Sequence, residues 1–323
     1  MQQANYTPDE LKATLAGGLI PAMPVMFDGE GRFHQRAHEA YVAFMSSQPI
    51  AGAAVWAHTG RGLLLDHETA RIVMQQWRSA LRAKPLIAGV GAHGKHSSPT
   101  NATLSMASAA AEYGADALLV YPPSWLKDHE QRDSLIVEHH KRLAERGLPL
   151  VLFYLYEAAG GVRYTTEVLD ELLALPNVLG IKMATLDSVM TYQDVARHIQ
   201  SQHPDKLLVT GEDRFLGYSL RRGAHTALIG MGAVCTDLQA ELMIAHIKRR
   251  AERFLELSDI VDQLAEVLFI HPMEGYIGRI LFALSKLGVI PVEAASDPWG
   301  PKLTPRELEN VTNVLKALNV QVG

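Results

Sequence analysis

Val178-Leu-Gly-Ile-Lys-Met-Ala-Thr185 is a short apolar run that carries a single lysine, Lys182, near its end. It does not alternate apolar with polar residues, so it reads as a strand buried on both faces. Seven further runs have the same character, at residues 18–26, 51–57, 85–90, 117–121, 149–154, 207–210 and 227–230. Between them lie helical patterns at 37–46, 68–83, 100–113, 131–146, 166–174, 187–198 and 215–222. Thr166 marks a helix start, and Gly114 and Gly147 mark helix ends. Strand followed by helix, repeated eight times, predicts an α/β fold of the (β/α)8 TIM-barrel type. A doubly wound sheet would place a glycine-rich turn after its first strand, and Pro24-Val-Met-Phe-Asp28 is not one.

The barrel core is expected over residues 1–235. Residues 236–323, helical apart from a break at 288–301, are expected to form the last barrel helix and a C-terminal helical extension. The chain has 323 residues, a formal net charge of −5 and no extended basic run, which speaks against a nucleic-acid partner. Its apolar runs are too short for a membrane span. Met1-Gln-Gln-Ala-Asn-Tyr6 has neither the basic nor the apolar segment of a secretion signal, so a cytoplasmic location is expected. Cys235, the only cysteine, excludes an internal disulfide and any cysteine-based zinc cluster, and reads as a small buried hydrophobe.

In a barrel of this kind chemistry sits at the C-terminal ends of the strands. Those ends carry His58-Thr59-Gly60-Arg61, Gly91-Ala-His93, Pro122-Pro-Ser124, Tyr154, Lys182, Gly211-Glu-Asp213 and Gly230-Met-Gly232. A buried amine with a lowered pKa attacks ketones and aldehydes, and a tyrosine on the neighbouring strand suits the proton transfers that follow. His93 and His96 lie three apart on one loop with no carboxylate placed to complete a set, so no metal is expected.

These residues resemble the dihydrodipicolinate synthase / N-acetylneuraminate lyase superfamily of Schiff-base aldolases and dehydratases. The likeness rests on Ile20-Pro-Ala-Met-Pro-Val-Met-Phe-Asp-Gly-Glu-Gly31, Ala57-His-Thr-Gly-Arg61, Val90-Gly91, Phe153-Tyr154 and Gly180-Ile-Lys182, with Tyr154 and Lys182 28 residues apart, and spans nearly the whole chain. It implies that Lys182 forms an imine with the C2 ketone of a 2-oxo acid, that Tyr154 shuttles protons, and that the His58-Thr59-Gly60 turn holds the substrate carboxylate. It implies a homotetramer. No cofactor is expected.

The departures from the family pattern bear on substrate. His58 and Arg61 replace a threonine and a glutamate of the carboxylate turn. Ser124 stands where the synthase has its second tyrosine, and Ala159 where it has a substrate-binding arginine. Condensation with aspartate semialdehyde is therefore not expected. His58 is read either as a general acid or base or as a loop histidine. Asp213 is read either as a contact for substrate hydroxyls or as a helix cap. Ser124, Gly211 and Leu228 complete the expected substrate contacts. The resulting expectation is a lyase that cleaves a hydroxylated, sugar-acid-like 2-oxo acid by retro-aldol chemistry and releases pyruvate. The alternatives are a dehydratase of a 2-oxo-3-deoxy sugar acid and a non-catalytic ligand-binding barrel. A pyridoxal-phosphate lysine ranks below these.

Overall fold

The computed structural model describes residues 6–318, so the N-terminal reading of residues 1–5 lies outside the described residues. Eight parallel strands form one sheet: β1 (Leu19–Pro21), β2 (Ala53–Val55), β3 (Leu86–Val90), β4 (Ala117–Val120), β5 (Leu150–Leu155), β6 (Val178–Ala184), β7 (Leu207–Thr210) and β8 (Thr226–Ile229). From β2 to β8 each strand pairs with the next, and β8 pairs with β1. The ring closes between β1 and β2 through an Ala22/Ala54 bridge and a hydrogen bond from Met23 N–H to Ala54 O of 2.9 Å. This is the TIM barrel that the alternating runs predict. β1 and β2 are much shorter than their apolar runs, because those runs continue into the loops at the mouth, whereas β5, β7 and β8 match theirs in length.

The helices are α1 (Pro8–Leu15), α2 (Gln35–Ser46), α3 (His67–Leu81), α4 (Pro99–Glu112), α5 (Arg132–Ala144), α6 (Thr166–Leu173), α7 (Val189–Gln202), α8 (Leu216–Arg221), α9 (Thr236–Ile247), α10 (Ala251–Leu268), α11 (Tyr276–Lys286) and α12 (Pro305–Ala317). Their starts follow side-chain capping: Asp66 accepts from Thr69 N–H, Thr165 from Val168 N–H and Ser188 from Thr191 N–H. Gly114 and Gly147 follow α4 and α5 with φ of +92° and +91°, as their reading as helix ends requires. No single helix among the described residues is long and apolar enough to cross a membrane.

The barrel interior is filled by residues such as Ile20, Ala54, Ile87, Leu119, Val151 and Val209. Leu11 and Leu15 of α1 join this cluster, so the helix that precedes β1 packs against the interior. A separate, larger core lies between the strands and the outer helices. The segment between α11 and α12 returns to the mouth, where Ser296 N–H bonds Phe27 O (3.2 Å) and the Trp299 ring meets that of Phe27 edge-on.

Candidate active site

Lys182 points into the barrel and is only 5% exposed. Its register partner on β5 is Phe153, whose ring lies 4.3 Å below the Lys182 Nζ. Gly211 supports the other side of the stem: a Cβ there would stand 2.5 Å from Lys182 Cε. Burial lowers the Lys182 pKa to about 8, against the opposing pull of Asp213 and Glu212. The ring face attracts the ammonium form, but only by about 1–2 kcal/mol, too little to offset the loss of water. Gly211→Ala is expected to push the lysine stem aside, cutting imine formation about tenfold and costing roughly 1–3 kcal/mol of stability. Borohydride trapping and thermal unfolding of that variant measure both effects.

The carboxylates that follow β7 divide two tasks. Glu212 is fully buried and accepts from Thr185 N–H (2.7 Å), Thr185 Oγ1 (2.9 Å) and Leu186 N–H (2.8 Å). It thereby ties the end of β6 to that of β7 and fixes the loop beyond Lys182. Burial pushes its carboxyl up to about 8 even so. Asp213 accepts from Met231 N–H at 2.7 Å, joining the β7 loop to the β8 loop rather than capping α8. Burial raises its pKa, while the Met231 amide and the Lys182 charge act the other way. The charges of Lys182 and Asp213 act on one another inside the barrel, with no ion pair between them among the described residues.

Tyr154 does not meet Lys182. Its side chain lies in the outer core, edge-on to Tyr164 with ring centroids 5.8 Å apart. The cause is a register shift. Leu150 pairs with Val178 but Val151 pairs with Gly180, so one extra residue of β6 is inserted and Phe153, not Tyr154, is opposite Lys182. Without that bulge Tyr154 would fall beside the lysine, as the 28-residue spacing implies. Tyr154→Phe is expected to change turnover less than about threefold. A general acid or base would lose about 10²-fold or more, which steady-state kinetics distinguishes.

The β2 loop is organised by residues that the sequence reading missed. His58 Nε2 lies 3.0 Å from Glu274 Oε1, and Arg61 Nη1 donates to Glu274 Oε2 at 2.6 Å. Arg61 also holds Asp297, with Nη2–Oδ2 at 2.7 Å and Nε–Oδ1 at 3.2 Å. Burial opposes ionisation of Glu274, but His58 and Arg61 outweigh it and hold the carboxyl at about 2. Thr59 Oγ1 is 3.0 Å from the Tyr276 hydroxyl, whose ring stacks on Phe269. Glu274, Tyr276 and Asp297 all come from the C-terminal region, more than 200 residues from the loop that they fix. The one local signal was Arg61 itself: an arginine in a turn that becomes buried demands a carboxylate.

The remaining expected contacts divide. Ser124, His58, Arg61, Tyr121 and Leu155 line a pocket of about 190 Å³ at the mouth. Gly60 donates its N–H to Ala57 O (3.0 Å) within a tight 3-10 turn, so that amide is already engaged, and a Cβ there would stand 2.6 Å from Met23 O. Gly60 thus shapes the turn. Leu228 is fully buried in the barrel interior and has no surface to offer a substrate. His93 bonds Leu63 O (3.1 Å) through Nε2. Cys235 is buried, which raises its thiol to about 12.

The family model for the dihydrodipicolinate synthetase family matches residues 15–318. The chain belongs to that family. It is 28% identical over 276 residues to the 4-hydroxy-tetrahydrodipicolinate synthase of Chelativorans sp. (strain BNC1), covering 84% of this chain and 88% of that protein. The dihydrodipicolinate synthase of Thermotoga maritima superposes with a TM-score of 0.83 at 20% identity, covering 95% of this chain and all of the other. The sialic acid aldolase of Ruminococcus gnavus superposes at 0.80 with 19% identity, over 95% and 97% of the two chains. The likeness to both solved structures extends the shared barrel fold over nearly the whole chain.

Proposed function

We propose that the protein is a Schiff-base lyase that cleaves a hydroxylated 2-oxo acid and releases pyruvate. The observation that carries this reading is Lys182: one buried amine with a lowered pKa, held between the Phe153 ring and Gly211 beside a carboxyl with a raised pKa. The neutral amine adds to the C2 ketone and water leaves, giving the imine. Removal of the C4 hydroxyl proton then breaks the C3–C4 bond, giving an aldehyde and the enamine. Protonation at C3 and hydrolysis of the imine release pyruvate and restore the amine.

Asp213, whose charge acts on Lys182 across the barrel, is the candidate for exchanging protons with the lysine nitrogen, the task assigned to Tyr154 on sequence grounds. His58 is the candidate base for the C4 hydroxyl. The Glu274 carboxylate, 3.0 Å from Nε2, fixes the ring orientation and leaves Nδ1 free to face a substrate. His58, Arg61 and Ser124 give the mouth pocket a few hydrogen-bonding groups that could meet substrate hydroxyls, and the family likeness points to a homotetramer.

A panel of 2-oxo-3-deoxy sugar acids, assayed with the protein for pyruvate and for water loss, tests the reading. Pyruvate with a matching aldehyde is expected. Water loss without pyruvate would make the protein a dehydratase. Condensation of pyruvate with aspartate semialdehyde as the fastest reaction would make it a synthase. Absence of any borohydride-trapped adduct would leave only a binding barrel.

A further inference from the structure

Outside the mouth, three metal-ligating side chains converge between α6 and α7. His198 Nε2 and His203 Nε2 both stand 2.7 Å from the same oxygen of Asp170, Oδ1. All three donor atoms lie within 4.8 Å of one another. Asp170 comes from the last turns of α6 and His198 from those of α7. His203 follows α7 with a non-helical φ of −134°, and this break turns its ring back towards His198, with centroids 5.9 Å apart.

We propose that Asp170, His198 and His203 form a binding site for a divalent transition-metal ion of the zinc type. Two imidazole nitrogens and one carboxylate select such an ion over magnesium or calcium, which take oxygen ligands. Zinc–ligand bonds of about 2.0–2.1 Å place tetrahedral ligands roughly 3.3 Å apart. The present 2.7 Å contacts therefore open by about 0.6 Å when the metal replaces two shared hydrogen-bond protons. The histidine side chains are 21% and 15% exposed and that of Asp170 46%, so the ion enters from solvent and keeps water in its fourth position.

The position gives the site its role. Both helices run back against the strand direction, so the ends of α6 and α7 lie at the N-terminal end of the barrel, opposite Lys182. The chemistry proposed for the mouth does not reach there, and the metal acts as a clamp between two neighbouring βα units. Binding to the folded chain alone raises its stability through mass action.

The test uses the full chain after treatment with a chelator, titrated with zinc chloride by calorimetry and followed in parallel by thermal unfolding. One equivalent is expected to bind and to raise the unfolding midpoint. His198→Ala and His203→Ala should each weaken that equivalent at least tenfold and remove the rise. Asp170→Asn, which preserves side-chain shape, guards against a histidine variant that fails to fold, and should weaken binding likewise. Borohydride trapping of pyruvate on Lys182 should be unchanged in all three. Cobalt substitution should give visible absorption in the parent chain and lose it in the variants. Zinc bound with unchanged affinity and stoichiometry in the variants would overturn the proposal by locating the ion elsewhere, as at His93 and His96. Absence of any tight equivalent would overturn it by leaving the three residues as a hydrogen-bonded staple.

Discussion

Lys182→Met is expected to abolish the borohydride-trapped adduct with pyruvate and to lower turnover by about 10³-fold or more, because no other residue takes over an attacking amine. Methionine keeps the length and apolar contacts of the stem against Phe153 and Gly211, so the variant should fold. Removing a buried amine beside Asp213 and Glu212 leaves stability near or above that of the parent below about pH 8, where the buried ammonium is a cost. The pH dependence separates this lysine from a surface one. With a pKa of about 8, roughly two-hundredfold more amine is neutral at pH 7 than at the ordinary value of about 10.4. The trapping rate in the parent should therefore rise as pH climbs through about 8 and level off above it. A rate that keeps rising towards pH 10 would mean that burial does not activate the amine. An adduct of undiminished yield in Lys182→Met would place the imine on another lysine and sink the proposed function.

The barrel and the position of Lys182 were legible in the sequence for one physical reason. Parallel strands covered on both faces need continuous apolar runs, and Lys182 interrupts such a run where the strand meets the mouth. The residue beside it was not legible. Phe153-Tyr-Leu-Tyr156 offers an aromatic to either face, and the choice between them depends on a one-residue bulge in β6 that the spacing of 28 does not reveal. The partners of the β2 loop were hidden for a different reason. Glu274, Tyr276 and Asp297 reach His58, Thr59 and Arg61 only through the return of the C-terminal region over the mouth, a contact with no local periodicity. The histidine–aspartate cluster between α6 and α7 was equally out of reach, since Asp170 and His198 meet only when neighbouring βα units pack. Helix ends, in contrast, are local: Gly114, Gly147 and the Thr165-Thr166 start carry their own backbone logic.

Arg61→Ala is the substitution expected to cost most stability, about 3 kcal/mol, with loss of the shaped mouth. Arg61 is 9% exposed and sits at φ +53°, so its backbone is held in the left-handed region by what its side chain binds. Burial opposes its charge, yet Asp297 and Glu274 together keep it charged throughout the accessible pH range. Removing it leaves Asp297, at 4% exposure, as an unpaired buried carboxylate, while Glu274 at 37% recovers part of its hydration. Asp297 therefore supplies most of the cost. Glu274 then keeps only His58, so its carboxyl should rise from about 2. In the parent, Glu274 contributes stability that is fully present above its unfolded value of about 4.3 and is lost as pH falls towards about 2. In Arg61→Ala that loss should begin at higher pH. Asp297→Asn separates charge from packing, since it keeps the shape of the side chain and removes the deepest anion. The double variant Arg61→Ala/Asp297→Asn is expected to regain about half of the lost stability, because the unpaired buried charge is gone. Chemical denaturation of the three variants reads this directly. Equal stability of the single and double variants would show that Arg61 matters through its packing and its hydrogen bond to Glu274, and not through neutralising Asp297. Trapping of pyruvate on Lys182 should survive in the double variant, whereas cleavage of a hydroxylated substrate should fall, because His58 loses the fixed carboxylate that orients it.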